Sequence, residues 1–140
     1  MSLIKGVHHI ALKCCGISEF EKVISFYHDV LGMPLVRTWG EGDGSGAMLE
    51  TGDGSVMEIT ASGGGEHIQG AIRHFALAVD DVDACVSAVS AAGYPITIQP
   101  KDIVLASNPP LPARIAFCVG PLGEEIEFFA GAAGGELLPR

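Results

Sequence analysis

From Ser18 the apolar residues Phe20, Val23, Ile24, Tyr27, Val30 and Leu31 recur three or four positions apart, which is the spacing of one face of an α-helix. The pattern predicts a helix opened by Ser18 and Glu21 as a capping box and stopped by Gly32. A second stripe, Val82, Cys85, Val86 and Val89, predicts another helix, capped by Asp80 and stopped by Gly93. The segments between are rich in β-branched and aromatic residues and are cut by Gly, Asp and Pro, so they read as strands. Asn108 to Pro112, with three prolines, reads as an extended loop rather than a strand.

The pattern occurs twice. His9-Ile10-Ala11-Leu12 returns as His74-Phe75-Ala76-Leu77, and Gly32-Met33-Pro34-Leu35 as Gly93-Tyr94-Pro95-Ile96. Each half closes on a glycine four residues before a glutamate and a large apolar residue, Gly54 to Glu58-Ile59 and Gly123 to Glu127-Phe128. Three landmarks in one order indicate a doubled module. Each half reads as one strand, one helix and about three strands, an α+β fold. Module one spans about residues 6–61 and module two about 72–130 of a single domain, with 131–140 as a frayed tail.

Strand parity sorts the side chains, because residues two apart share a face. Ile10 and Leu12 oppose His9, Ala11 and Lys13; Phe75, Leu77 and Val79 oppose His74, Ala76 and Ala78. Met57 and Ile59 oppose Glu58, and Ile126 and Phe128 oppose Glu127. With the bulky faces covered by helices, the other face carries two histidines, two glutamates and small alanines. The curved sheets would enclose a metal-binding cavity. Two neutral nitrogens and two carboxylates at His9, Glu58, His74 and Glu127 suit a divalent ion such as Zn, Ni, Co, Mn or Fe. Without a sulfur ligand, an open catalytic site fits better than a closed structural zinc.

Composition narrows the field further. Seventeen acidic residues against eight Lys and Arg give a net charge of -9, which repels phosphate backbones and excludes nucleic acid as the expected partner. No run approaches the roughly 20 apolar residues of a membrane span, and no signal-peptide pattern opens the chain; the expectation is a cytoplasmic protein. Cys14, Cys15, Cys85 and Cys118 match neither a zinc knuckle nor a secreted disulfide framework. His8 is expected on the helix side by parity, as a packed or edge histidine, and His28 and His67 have no metal-ligating residue in phase. Lys13 and Arg37 are candidate substrate contacts, and Arg114 a weaker one.

His9-Ile10-Ala11-Leu12, Phe26-Tyr27 leading to Val30-Leu31-Gly32-Met33, Val56-Met57-Glu58, His74-Phe75-Ala76-Leu77 and Ile126-Glu127-Phe128 resemble the vicinal oxygen chelate superfamily, also called glyoxalase/bleomycin-resistance/dioxygenase. The resemblance implies tandem βαβββ modules around a metal held by His9, Glu58, His74 and Glu127, and a homodimer. It is strongest to the glyoxalase I-like (lactoylglutathione lyase-like) enzymes, which implies Ni, Zn or Co and a lyase or isomerase. The substrate would be a small chelating molecule such as the hemithioacetal of methylglyoxal, passing through an enediolate. Glu127 would be the base, and Glu58 a ligand or partner base. Lys13 stands where those enzymes carry an arginine used toward glutathione, and their glutathione pattern is absent from Gly63 to Gln69. An acyl-CoA epimerase, a dioxygenase and a non-enzymatic toxin- or antibiotic-binding protein are the alternatives on the same scaffold.

Overall fold

The computed structural model describes residues 2, 6–68, 70–107 and 109–131, so the expected tail lies outside the described residues apart from Gly131. The chain divides into two compact units between Glu66 and His67. The first runs β1 (His9–Lys13), α1 (Ile17–Ile24), β2 (Leu35–Trp39), β3 (Gly46–Glu50) and β4 (Val56–Thr60). The second runs β5 (His74–Ala78), α2 (Val82–Ala91), β6 (Ile96–Leu105), β7 (Leu111–Val119) and β8 (Glu125–Gly131). Their sheets have the equivalent strand orders β1-β4-β3-β2 and β5-β8-β7-β6. In both, the first and last strands are parallel neighbours and the remaining pairs are antiparallel. The α+β fold of tandem βαβββ modules follows.

Burial obeys the parity of the strands. Met57, Ile59, Ile126 and Phe128 are fully buried, together with Val23, Phe26 and Tyr27 of the first unit and Val82 and Val89 of the second. Each such large side chain contributes on the order of 2 kcal/mol by leaving water. In β1 and β5 the burial alternates, with His9, Ala11, Lys13, His74, Ala76 and Ala78 on the exposed face.

The helix termini differ from expectation. Gly16, not Ser18, caps α1, and the amides at its start are satisfied by Asp43 across the unit and by Glu19 of the helix's own first turn. The Ile17 N–H donates to Asp43 at 3.0 Å and the Cys15 N–H to Glu19 at 2.8 Å. Asp81, not Asp80, caps α2, accepting from the Ala84 N–H at 2.9 Å. Gly32 and Gly93 do occupy the left-handed conformation past the helices, at φ 77° and 90°. Helix α1 continues as a π-helical turn over Ser25–Val30, whose wider winding carries Phe26 and Tyr27 into the core together, edge to face at 4.9 Å.

The proline-rich stretch is also corrected in part: Leu111 and Pro112 belong to β7, opposite Leu105 and Val104. Pro112 lies one position before Ala113, the first residue of β7 paired with β8 among the described residues, so its missing N–H costs none of the described β7–β8 bonds.

Candidate functional site

The two units repeat one register. His9 stands opposite Val56 and Ala11 opposite Glu58; His74 stands opposite Glu125 and Ala76 opposite Glu127. In each unit a histidine and a glutamate are therefore diagonal neighbours on adjoining parallel strands, on the same face, beside an alanine too small to fill the space. The coincidence follows from sequence: the two glutamates share a phase with the histidines, and a one-residue slip would bury all four.

In the second unit His74 Nε2 and Glu127 Oε2 lie 3.9 Å apart. That exceeds hydrogen-bond reach and is within the span of one ion touching both, since metal–nitrogen and metal–oxygen distances are each about 2 Å. The Glu127 side chain keeps only 13% of its exposure. Burial pushes its carboxyl above the usual carboxylate range; the His74 imidazole pulls it back and Glu125 adds to the rise. Phe117 walls the pair, its ring edge-on to His74 at 5.3 Å. In the first unit His9 Nδ1 meets His8 Nδ1 at 2.9 Å. His8 is exposed, as an edge histidine rather than one packed toward the helix, because it precedes β1 and escapes the strand's alternation. Within either unit, among the described residues, no three of His, Cys, Asp and Glu form a metal cluster; each unit supplies a histidine–glutamate pair.

The substrate candidates separate. Lys13 is exposed on the face of His9, opposite Thr60. Arg37 is exposed opposite Met48, which in turn stands opposite Glu58, so Arg37 shares the face of Glu58. Arg114 is removed from the candidates: it is on the helix face, clamped by Asp83 at 2.7 and 2.9 Å and by Asp102 at 3.1 Å. His28 is likewise occupied, with its Nδ1 2.7 Å from the Met33 carbonyl oxygen.

Sequence reasoning passed over three residues on these faces. Glu125 is opposite His74 and could have been found from its phase with Glu127. Phe117 is opposite Glu127. Trp39 stands opposite Gly46, and a methyl group on that glycine would overlap the indole, so the ring lies on the Gly46 backbone. Its two-residue phase with Arg37 was the available signal.

A family model described as the glyoxalase/bleomycin resistance protein/dioxygenase superfamily matches residues 6–107. The chain belongs to this superfamily. It is 34% identical over 118 residues to a probable lactoylglutathione lyase of Vibrio parahaemolyticus, covering 79% of this chain and 82% of that protein. It is 31% identical over 119 residues to a lactoylglutathione lyase of Haemophilus influenzae, covering 80% and 84%. Among solved structures, the trypanothione-dependent glyoxalase I of Leishmania major superposes with a TM-score of 0.67 at 23% identity, covering 91% of this chain and 87% of that one. The last likeness carries the fold alone.

Proposed function

We propose that the protein is a metal-dependent glyoxalase-type isomerase acting on a hemithioacetal of a small 2-oxoaldehyde such as methylglyoxal. The observation that carries the reading is the His74–Glu127 pair, 3.9 Å apart without a hydrogen bond, with its register equivalent at His9 and Glu58. The lactoylglutathione lyases among the relatives support the reaction class.

His9, Glu58, His74 and Glu127 would hold the ion, with Ni, Zn or Co best suited and Mn or Fe also fitting the donor set. When bound, it supplies Lewis acidity toward two adjacent substrate oxygens. Glu127 takes the proton from the carbon that bears sulfur and hydroxyl and returns it to the neighbouring carbon. The adduct leaves as a 2-hydroxy thioester with no atom gained or lost. Glu58 serves as ligand or partner base. Lys13 and Arg37 contact the anionic part of the adduct. The working assembly in this proposal is a homodimer, and its compartment the cytoplasm.

Elemental analysis of the native protein, with Glu127→Gln assayed on methylglyoxal hemithioacetals, tests the proposal. Bound divalent metal, turnover by the native chain and a loss of a hundredfold or more in the variant (about 3 kcal/mol) are expected. Stoichiometric metal without turnover of any thiol adduct would overturn the glyoxalase assignment.

A further inference from the structure

The face of the first sheet that carries Glu58 also carries an aromatic surface, the indole of Trp39. Lys13, Thr60, Gly46 and Trp39 form one rung across the four strands, and Ala11, Glu58, Met48 and Arg37 form the next. Trp39 is therefore two strands across and one rung along from Glu58, about 10 Å and 7 Å by ordinary strand spacings. Its indole has a defined seat. Gly46 is buried and has no side chain to hold the ring away, so the indole lies on the backbone of β3. The residue nonetheless retains 41% of its exposure. One face of the ring is spent on the sheet, and the open surface belongs to the other side.

Trp39 is the only tryptophan in the chain, on the face where Met48 stands directly opposite Glu58. A hollow of about 200 Å³, bordered by Phe20, Ile24 and Leu35, lies on the helix side of β2 and reaches Trp39 only from the face opposite Glu58. A flat π surface fixed at one face favours stacking of another flat group over contact with a methyl.

We propose that Trp39, seated on Gly46, is a specificity-determining residue that stacks on an aromatic group of the thiol adduct. This rests on the glyoxalase-type reading of the Glu58 face. The aromatic group can enter with the aldehyde or with the thiol, and four hemithioacetals separate the sources. Phenylglyoxal is compared with methylglyoxal, each with 2-mercaptoethanol; benzyl mercaptan is compared with 2-mercaptoethanol, each with methylglyoxal.

In the metal-loaded native protein the aromatic member of one pair has the higher kcat/KM. Trp39→Ala lowers that aromatic-to-alkyl ratio by about three- to tenfold, the range of one aromatic stacking contact. Trp39→Phe retains most of the ratio. Gly46→Ala, which displaces the indole without removing it, reproduces the loss. Because the chain has one tryptophan, its emission gives a readout independent of turnover. In Glu127→Gln the favoured aromatic adduct quenches it saturably and the alkyl adduct does not. Turnover with unchanged ratios in Trp39→Ala and no quenching would overturn the role of Trp39 and leave the glyoxalase reading standing. Saturable quenching with no turnover of any adduct would do the reverse.

Discussion

His8 Nδ1 and His9 Nδ1 lie 2.9 Å apart, and a hydrogen bond between two identical nitrogens requires that one carry the proton and the other accept it. If His9 is the donor, its Nε2 lone pair is free for a metal and its ring is held in that tautomer by His8. Metal-binding histidines are ordinarily oriented by an acceptor on the second ring nitrogen.

His8→Ala is therefore expected to weaken divalent-metal affinity by about tenfold, while His8→Asn, which restores an acceptor, recovers part of it. Competition with a chromophoric chelator measures both. Equal affinities in all three proteins would show that His8 does not orient His9.

Glu127 gives a pH dependence with a definite sign. Its folded-state proton affinity is raised, chiefly by burial. In the metal-free protein its contribution to stability is present below the ordinary carboxylate pKa and is lost as pH rises through the raised value. Relative to Glu127→Gln, the metal-free native chain should lose melting temperature between about pH 4 and pH 7. Thermal scans at both pH values check this, and a gap that narrows toward pH 7 would contradict it.

Thr60 carries the one buried side-chain oxygen without a hydrogen-bond partner among the described residues. A hydroxyl taken out of water unpaired is costly, and replacing it with a methyl group of the same shape removes that cost. Thr60→Val is expected to stabilise the protein by about 1 kcal/mol, read from urea denaturation. Destabilisation of that size would show that the oxygen has a partner in solution.

The four thiols should divide by position. Cys14 and Cys118 are buried and Cys15 is exposed. Burial pushes the Cys118 thiol up to about 12, with smaller rises from Glu124 and Cys85, and Cys85 is raised by burial and by Asp81. Mild alkylation near neutral pH should modify Cys15 first, and Cys15→Ser should remove the fast phase. Peptide mapping after timed quenching reads the order, and early modification of Cys118 would overturn it.

Much of this arrangement could be read from the residue pattern because it rests on period two. Parity placed His9 with Lys13, and Glu58 and Glu127 away from the apolar residues beside them, and the strands preserve that alternation. Features set by distant partners were not legible. Ser18 and Asp80 look like caps locally, but the start of α1 is satisfied by Asp43 across the unit, and α2 begins one residue later at Asp81. The register of β2 shifts between Leu35 and Arg37, which counting alone misses. The seat of Trp39 depends on which residue faces it across the ladder, and that is known only once β2 and β3 are paired.

The parallel pairing of β1 with β4, and of β5 with β8, also constrains when the donor sets can arise. Each histidine is made at the start of its module and its glutamate at the end, so the two meet only by closing nearly the whole module, the slowest kind of contact for a chain to form. During synthesis neither half can offer a histidine–glutamate pair until its last strand has emerged. An ion that needed both donors would therefore arrive too late to seed the fold, and would act instead as a latch on a module already shut.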